Sequence, residues 1–282
     1  MVVVMEFLDN HVLLDHVLVD EKLTKMNVNI AIGLGEFMGI THAKTHSSLI
    51  SQDLKEKYSK LYENRAMRDV QLEFVFTKCY KEATDEQRSG LNVTDEFLKE
   101  IDLLKLQYDG KYSEYDNLVL CHGDLHPGSV MVDNDDKGSV KVIDPEFTIY
   151  GPPGLDVGSL LSGYCLGAIH QAYSQNPNAV NDIINNCQLL WDSYIKTLKL
   201  NGLVDSTILY NIEIETVGFT VAEVCRTALE FAGGRKWLQF ENLETKTASK
   251  KAALQLVDKC MIQRHTGGIT LLMDTLKQVT TL

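Results

Sequence analysis

The stretch that decides the fold covers residues 118–156 and reads LVLCHGDLHPGSVMVDNDDKGSVKVIDPEFTIYGPPGLD. Its centre holds two short runs that contain apolar residues, at 129–133 and 139–143. The residues between them, NDDKG at 134–138, are of the kinds that adopt tight turns. The pattern therefore predicts two antiparallel strands that fold back on one another as a β-hairpin.

The hairpin brings two polar loops to one end. The loop that enters the first strand carries His122, Asp124 and His126, and the loop that leaves the second strand carries Asp144 and Glu146. Because about five residues lead away from the first loop and about five lead back to the second, the loops should lie side by side. We therefore expect the three carboxylates to share one small volume.

Carboxylates in this arrangement suit phosphoryl transfer, in which one Asp accepts the proton of the attacking hydroxyl and further oxygen ligands hold Mg²⁺ on the phosphates. Asp124 suits the first task. Asp144 and Glu146 suit the second, because Pro145 between them favours a turn from which both can reach a metal. His122 is better suited to bracing the loop than to reacting. Acidic hairpin loops are commonly just solvated surface, so the prediction depends on the whole ordered combination.

That combination, HGDLHPGSVMV followed by VIDPEFTIYGPPGLDVGSL, resembles the kinase-like small-molecule phosphotransferases, the group that contains aminoglycoside, choline and homoserine kinases. It is more closely similar to the 5-methylthioribose kinases, in which a DPE triplet and a serine replace the metal-binding Asp and Asn of the wider group. Ser129 stands where most relatives have Asn. The resemblance implies that Glu146 supplies the missing metal oxygen.

The resemblance also implies an activity, the ATP-dependent phosphorylation of the anomeric hydroxyl of S-methyl-5-thioribose in methionine salvage, which yields the 1-phosphate and ADP. Asp124 is then the base, Mg²⁺ is the cofactor, and ATP and the sugar are the small-molecule partners. Glu6, Phe7 and Leu8 are expected at the hinge between two lobes, where backbone groups face adenine. The family further suggests a homodimer.

An arginine of that family contacts the substrate or the transferring phosphate, and Arg226 falls at its position. A planar charged fork suits that task, although a helical Arg226 can equally form an ordinary salt bridge. The family usually has an Arg-Arg pair, whereas residue 227 is Thr. Arg235 and Lys236, in the segment GGRKW, are the candidates to compensate.

The fold class predicted is α+β, mostly α, equivalent to the C-terminal lobe of a protein-kinase-like fold, with its catalytic loop at 121–129 and its metal loop at 144–146. Residues 1–8 are interpreted as a hinge strand that ends an N-terminal β-rich lobe, and residues 9–282 as the helical lobe. A phosphate-covering loop and a strand lysine should precede such a hinge. We therefore expect the β-rich lobe to be largely absent, as in a truncated chain or in a protein lacking half of its nucleotide site.

Apolar spacing predicts an amphipathic helix over 157–172 and further helices over 179–200, 206–232 and 244–263, with Ser48 as the cap of another. Asp156 has two interpretations, a bond to the catalytic loop or an interaction with the helix N-terminus. The glycine-rich segment 33–39 fits either a strand with a phosphate loop or a helix whose glycines allow close packing. Its glycine spacing differs from the dinucleotide fingerprint, which favours the helix.

Composition excludes several classes of protein. The chain has 282 residues, 44% of them hydrophobic, and a formal net charge of -12, which disfavours nonspecific binding to nucleic acid or anionic membranes. No apolar run approaches the roughly 20 residues that cross a bilayer. The six cysteines have no C-x-x-C spacing, so reduced thiols and a cytoplasmic location are expected.

Two other functions stay open at this point. One is a different enzyme of the same group, such as an aminoglycoside or homoserine kinase, although DPE together with Ser129 argues against it. The other is a noncatalytic kinase-like binding module without the nucleotide lobe, although the three retained acids argue the other way.

Overall fold

The computed structural model describes residues 6–23, 25–110, 116–134, 139–233 and 235–282. It is mostly helical, as predicted. The α-helices are α1 (Leu14–Leu18), α2 (Val28–Thr45), α3 (Gln52–Leu61), α4 (Arg65–Glu73), α5 (Cys79–Glu82), α6 (Asp95–Asp109), α7 (Gly154–Tyr173), α8 (Pro177–Leu200), α9 (Ser206–Ala228) and α10 (Leu243–Thr280). One π-helical turn (Phe74–Lys78) joins α4 to α5, and α10 is kinked at Gly268.

Two small antiparallel sheets accompany the helices. The first has the order β1 (His11–Leu13), β3 (Val130–Asp133) and β4 (Val140–Val142), and the second pairs β2 (Val119–Cys121) with β5 (Ile149–Gly151). Strands β3 and β4 form the predicted hairpin, with Val130 opposite Val142. The predicted turn at 134–138 lies mostly outside the described residues. The α+β, mostly α, fold class is confirmed.

Helix α7 lies at the centre of the helical layer and packs against α8, α9 and α10. The predicted amphipathic pattern is wrong for this helix, because its polar face is buried too. Ser162 and Gln171 are fully buried on it, and both find partners: the Ser162 hydroxyl donates to the Ser159 carbonyl, and the Gln171 amide donates to the Leu18 carbonyl. A helix that is buried on all sides needs such internal bonds.

The glycine-rich segment is helical, and its glycines allow α2 to approach α8 closely, as the favoured interpretation predicted. A Cβ atom on Gly35 would lie 2.5 Å from the Leu190 carbonyl oxygen, and one on Gly39 would lie 2.7 Å from the Thr197 Cβ. Gly33 faces open space, since the nearest atom to its Cβ position is Val140 Cγ2 at 3.9 Å.

One predicted helix cap is wrong, and one predicted strand lies largely outside the described residues. Ser51, not Ser48, caps α3 by accepting the Leu54 N–H at 3.4 Å, while the Ser48 hydroxyl bonds His46 Nδ1 at 2.8 Å. The hinge strand predicted over 1–8 lies partly outside the described residues, and its described part, 6–8, is not in a strand. The first strand begins later, at His11.

Within the described ranges, no helix combines the length and the apolar character needed to span a membrane. All six cysteines are buried, and none of them forms a disulfide bond.

Candidate active site

The catalytic loop leaves β2 and reaches a 3₁₀ turn at Pro127–Ser129. Gly123 in this loop has a φ of 89°, and a Cβ atom there would collide with the carbonyl oxygen of Phe147. Only glycine combines that conformation with so close an approach. Gly123 therefore lets the catalytic loop lie directly against the loop that follows β4.

Asp156, at the start of α7, holds the catalytic loop from beneath. Its carboxylate accepts the His122 N–H at 2.7 Å and the Gly123 N–H at 2.9 Å, and His42 Nε2 lies 3.4 Å away. Burial alone would raise the pKa of Asp156, but its hydrogen bond and electrostatic interaction with His42, its interaction with His122 and the Gly123 N–H lower it below the ordinary value. These contacts are those of the loop-binding interpretation, and Asp156 also lies in the first turn of α7, where the second interpretation places it.

His122 connects the two loops. Its Nε2 lies 2.9 Å from the Ile143 carbonyl oxygen, and its Nδ1 lies 3.4 Å from the Asp124 backbone nitrogen. This pattern requires the tautomer in which Nε2–H donates and Nδ1 accepts. The ring therefore spans from the catalytic loop to the residue before Asp144.

Asp124 is held mainly through its backbone. Its carbonyl accepts the Ser129 hydroxyl at 2.9 Å, and its carboxylate lies 3.6 Å from His126 Nε2. The side chain is 26% exposed. Burial, with a contribution from Glu223, raises the pKa of Asp124 to about 6, and burial lowers the pKa of His126 to about 4. At neutral pH the site thus contains an ionised carboxylate beside a neutral imidazole.

The metal loop presents Asp144 and Glu146, both exposed, on either side of Pro145. Asp144 has a φ of 65°, and residues 145–147 form a 3₁₀ turn, so the predicted departure from strand geometry is present. Ser129 is buried and donates to the Asp124 carbonyl, which gives it a contact within the catalytic loop.

The loops are neighbours, and the expectation that all three carboxylates share one small volume stays a prediction. Among the described residues, a single group of three or more His, Cys, Asp or Glu has its ligand atoms within 4.8 Å of one another, and it is His42, Cys121 and Asp156. That group lies buried behind the catalytic loop.

Helix α4 braces both loops, a feature that the sequence pattern did not reveal. The Asn64 amide at its N-terminus donates to the Glu146 carbonyl at 2.8 Å and to the Thr148 carbonyl at 3.1 Å. The Gln71 amide donates to the Gly123 carbonyl at 2.8 Å. Since these bonds join residues more than fifty positions apart, no local signal could have identified them.

Arg226, near the end of α9, makes the salt bridge that was its alternative interpretation. Its Nη2 lies 2.7 Å from Glu223 Oε2, and Nη1 of Arg235 lies 3.4 Å from the same oxygen. Arg235 also reaches the Thr227 hydroxyl at 3.5 Å, while Lys236 is exposed. Both arginines lower the pKa of Asp124, which places them within electrostatic reach of the catalytic loop. The sequence pattern did not identify Glu223, because a carboxylate within a helical pattern looks like a solvent-exposed residue.

The remaining predicted site residues precede β1. Glu6 and Phe7 are exposed, and Leu8 is half-buried. Their contact with adenine stays a prediction.

Comparison with known proteins covers the part of the chain that contains both loops. A family model described as "Phosphotransferase enzyme family" matches residues 2–180. The methylthioribose kinase of Geobacillus thermodenitrificans (strain NG80-2) is 28% identical over 246 residues, which cover 82% of this chain and 60% of that protein. The methylthioribose kinase of Geobacillus sp. (strain WCH70) is 27% identical, over 84% of this chain and 61% of that protein.

The chain thus spans about 60% of the length of these curated relatives. Among solved structures, a glucosamine kinase in crystal form A matches 88% of this chain and 60% of its own, with a TM-score of 0.45 and 14% identity.

Proposed function

Because the chain belongs to the phosphotransferase enzyme family, we propose that it is an ATP-dependent kinase that phosphorylates the anomeric hydroxyl of S-methyl-5-thioribose. The products are the sugar 1-phosphate and ADP. The relatives named methylthioribose kinase support the choice of sugar. The observation that carries the proposal is Asp124, a carboxylate with a pKa of about 6 on a loop braced against a second acidic loop.

Asp124 is the base in this proposal. With a pKa near 6 it is ionised at neutral pH, and it binds a proton more tightly than an ordinary Asp. It therefore accepts the proton of the sugar hydroxyl as the new oxygen–phosphorus bond forms. The bonds of Ser129 and His122 to its backbone fix the approach of the carboxylate to that hydroxyl.

Asp144 and Glu146 fit a magnesium ion. Both are exposed carboxylates on one short turn, and Mg²⁺ prefers one or two carboxylates together with water and substrate phosphates. When bound, the ion neutralises negative charge on the phosphates of ATP. Asn64 keeps this turn in place through the Glu146 carbonyl. Arg226 is the proposed contact to the sugar or the transferred phosphoryl group, and Glu6, Phe7 and Leu8 are the proposed contacts to adenine.

The test is an ADP-release assay of the full chain with ATP, Mg²⁺ and S-methyl-5-thioribose, in which ³¹P NMR identifies the product. Homoserine, choline and an aminoglycoside serve as competing acceptors. We expect the sugar 1-phosphate to form and its formation to stop in the Asp124→Asn variant. Preferential turnover of another acceptor would refute the choice of sugar. A folded chain that turns over none of them would refute the kinase proposal and favour a binding module.

A further inference from the structure

Glu223 is a buried carboxylate between two arginines. Glu223 is 5% exposed. One of its carboxylate oxygens, Oε2, lies 2.7 Å from Arg226 Nη2 and 3.4 Å from Arg235 Nη1. Burial alone would raise the pKa of Glu223, but the two guanidinium charges outweigh burial and lower it. Glu223 is therefore ionised at neutral pH, and it neutralises one of two positive charges that lie close together.

The two arginines come from different parts of the chain. Arg226 is on α9, one turn after Glu223, whereas Arg235 follows the end of α9 and has its guanidinium 5.6 Å from the ring centre of Trp237. Like charges repel at short range unless an opposite charge lies between them. The shared oxygen of Glu223 is the group that holds these two side chains together.

The three side chains lie within electrostatic reach of the catalytic loop. Glu223 and both arginines act electrostatically on Asp124, and the same three act on His126. The arginine side chains are 14% and 13% exposed, so each retains access to solvent and to a ligand. A pair of largely buried guanidinium groups close to a base suits the charge that develops on a phosphoryl group in transfer.

We propose that Glu223 is a positioning residue that holds Arg226 and Arg235 together beside Asp124, so that both guanidinium groups act on the transferred phosphoryl group. This inference rests on the proposed kinase function for its role in catalysis. The arrangement of the three side chains does not depend on which sugar is the acceptor.

The pKa of Asp124 depends on the balance of charges around its carboxyl group. The groups that face this carboxyl are Glu223 and Arg226 from α9, Arg235 from the following segment, and His122 and His126 from its own loop. Glu223 raises the pKa of Asp124, and the two arginines lower it. Glu223→Gln removes the negative charge and leaves both positive charges uncompensated, so both changes lower that pKa.

The first experiment follows the Asp124 carboxyl by ¹³C NMR during a pH titration of the full chain. We expect Glu223→Gln to lower the pKa of Asp124 by about one unit, the size of a nearby charge effect. Glu223→Asp, which keeps the charge, should return it towards the wild-type value. Glu215→Gln is the matched control, because Glu215 is a buried carboxylate on the same helix that bonds the Gly154 N–H instead. It should leave the Asp124 titration unchanged.

A second variant keeps the proposal testable if Glu223→Gln fails to fold. Arg235→Gln changes a partly exposed side chain, and it removes a positive charge that lowers the pKa of Asp124. We expect this pKa to rise. A wild-type titration of Asp124 in either folded variant would overturn the proposal.

Kinetics separate this proposal from the proposed function. In an active enzyme, Glu223→Gln should lower kcat by roughly 10- to 100-fold while the KM for ATP changes by less than about twofold, because the loss is in the transition state. A variant in which only KM rises would overturn the positioning role. The NMR titration needs no turnover, so an inactive wild-type chain with the expected shifts would sink the kinase proposal and leave the arrangement around Glu223 supported.

Discussion

Replacing Asp156 by Asn tests whether one buried carboxylate holds the catalytic loop to the helical core. The side chain is 2% exposed and accepts the backbone N–H groups of His122 and Gly123 at 2.7 and 2.9 Å. Asn has nearly the same shape but only one acceptor oxygen. Its amide nitrogen must therefore face one of the two backbone donors.

The expected cost follows from these contacts. A hydrogen bond to a charged group contributes about 1.5–3 kcal/mol, and a buried donor left unsatisfied costs about 1–3 kcal/mol. We therefore expect the Asp156→Asn variant to lose about 3 kcal/mol or more of unfolding free energy. At about 2–4 °C per kcal/mol this is a fall of at least about 6 °C in Tm.

Urea unfolding followed by tryptophan fluorescence and circular dichroism measures this loss. Asp205→Asn is the control, because Asp205 is the N-cap of α9 and Asn caps a helix about as well as Asp. The pKa of Asp156 is lowered, so its contribution should be present above pH 3.8, the ordinary value, and be lost as the pH falls through its folded value. A loss below about 1 kcal/mol, similar to the control, would refute the assignment of Asp156 as the brace.

Three further outcomes are expected. Asp124→Asn should lower kcat by roughly 10²- to 10⁴-fold without weakening nucleotide binding. Wild-type activity should rise with pH through about 6, because this carboxyl ionises there. A flat pH–rate profile would contradict the base assignment. Asn64→Ala removes the two hydrogen bonds that hold the metal loop, each of which contributes about 1 kcal/mol. The Mg²⁺ concentration for half-maximal activity should therefore rise several-fold. An unchanged magnesium titration would show that these bonds do not contribute to magnesium binding. Gly39→Ala should lower the free energy of unfolding in urea by about 1–3 kcal/mol, because the new methyl group meets Thr197. Gly33→Ala in the same helix should raise it by about 0.5–1 kcal/mol. Equal effects of the two variants would contradict the close packing of α2 on α8.

The hairpin and its two loops could be predicted from the sequence because their signals are local. Turn residues separate two short apolar runs, and the polar residues stand next to those runs, so chain direction alone brings the loops together. The same reasoning does not fix the positions of the carboxylate groups, because these depend on neighbouring charges and on any bound cation. The sequence pattern failed for Ser48, since Ser48 and Ser51 are both acceptable caps, and the Ser48 hydroxyl bonds instead to His46, two residues earlier.

Glu223, Asn64 and Gln71 show a different limit. Each acts on the site from a helix distant in sequence, and each looks like an ordinary surface residue in its local pattern. Arg226 and Arg235 were both named from the sequence, but the carboxylate between them was not, because their meeting depends on how the segment after α9 returns to the core. Long-range contacts of this kind leave no periodic trace in a single sequence.

The braces around Asp124 share one property that explains how the loop can be rigid while its acid stays reactive. Asp156, Gln71 and Ser129 all bond backbone groups of the catalytic loop. Within the described residues, the contact made by the Asp124 carboxylate itself is His126 at 3.6 Å, which is longer than a hydrogen bond. Strong donors on the carboxylate would lower its pKa and occupy its lone pairs. Fixing the backbone instead leaves burial free to raise the pKa, and it keeps the oxygen available to accept a proton.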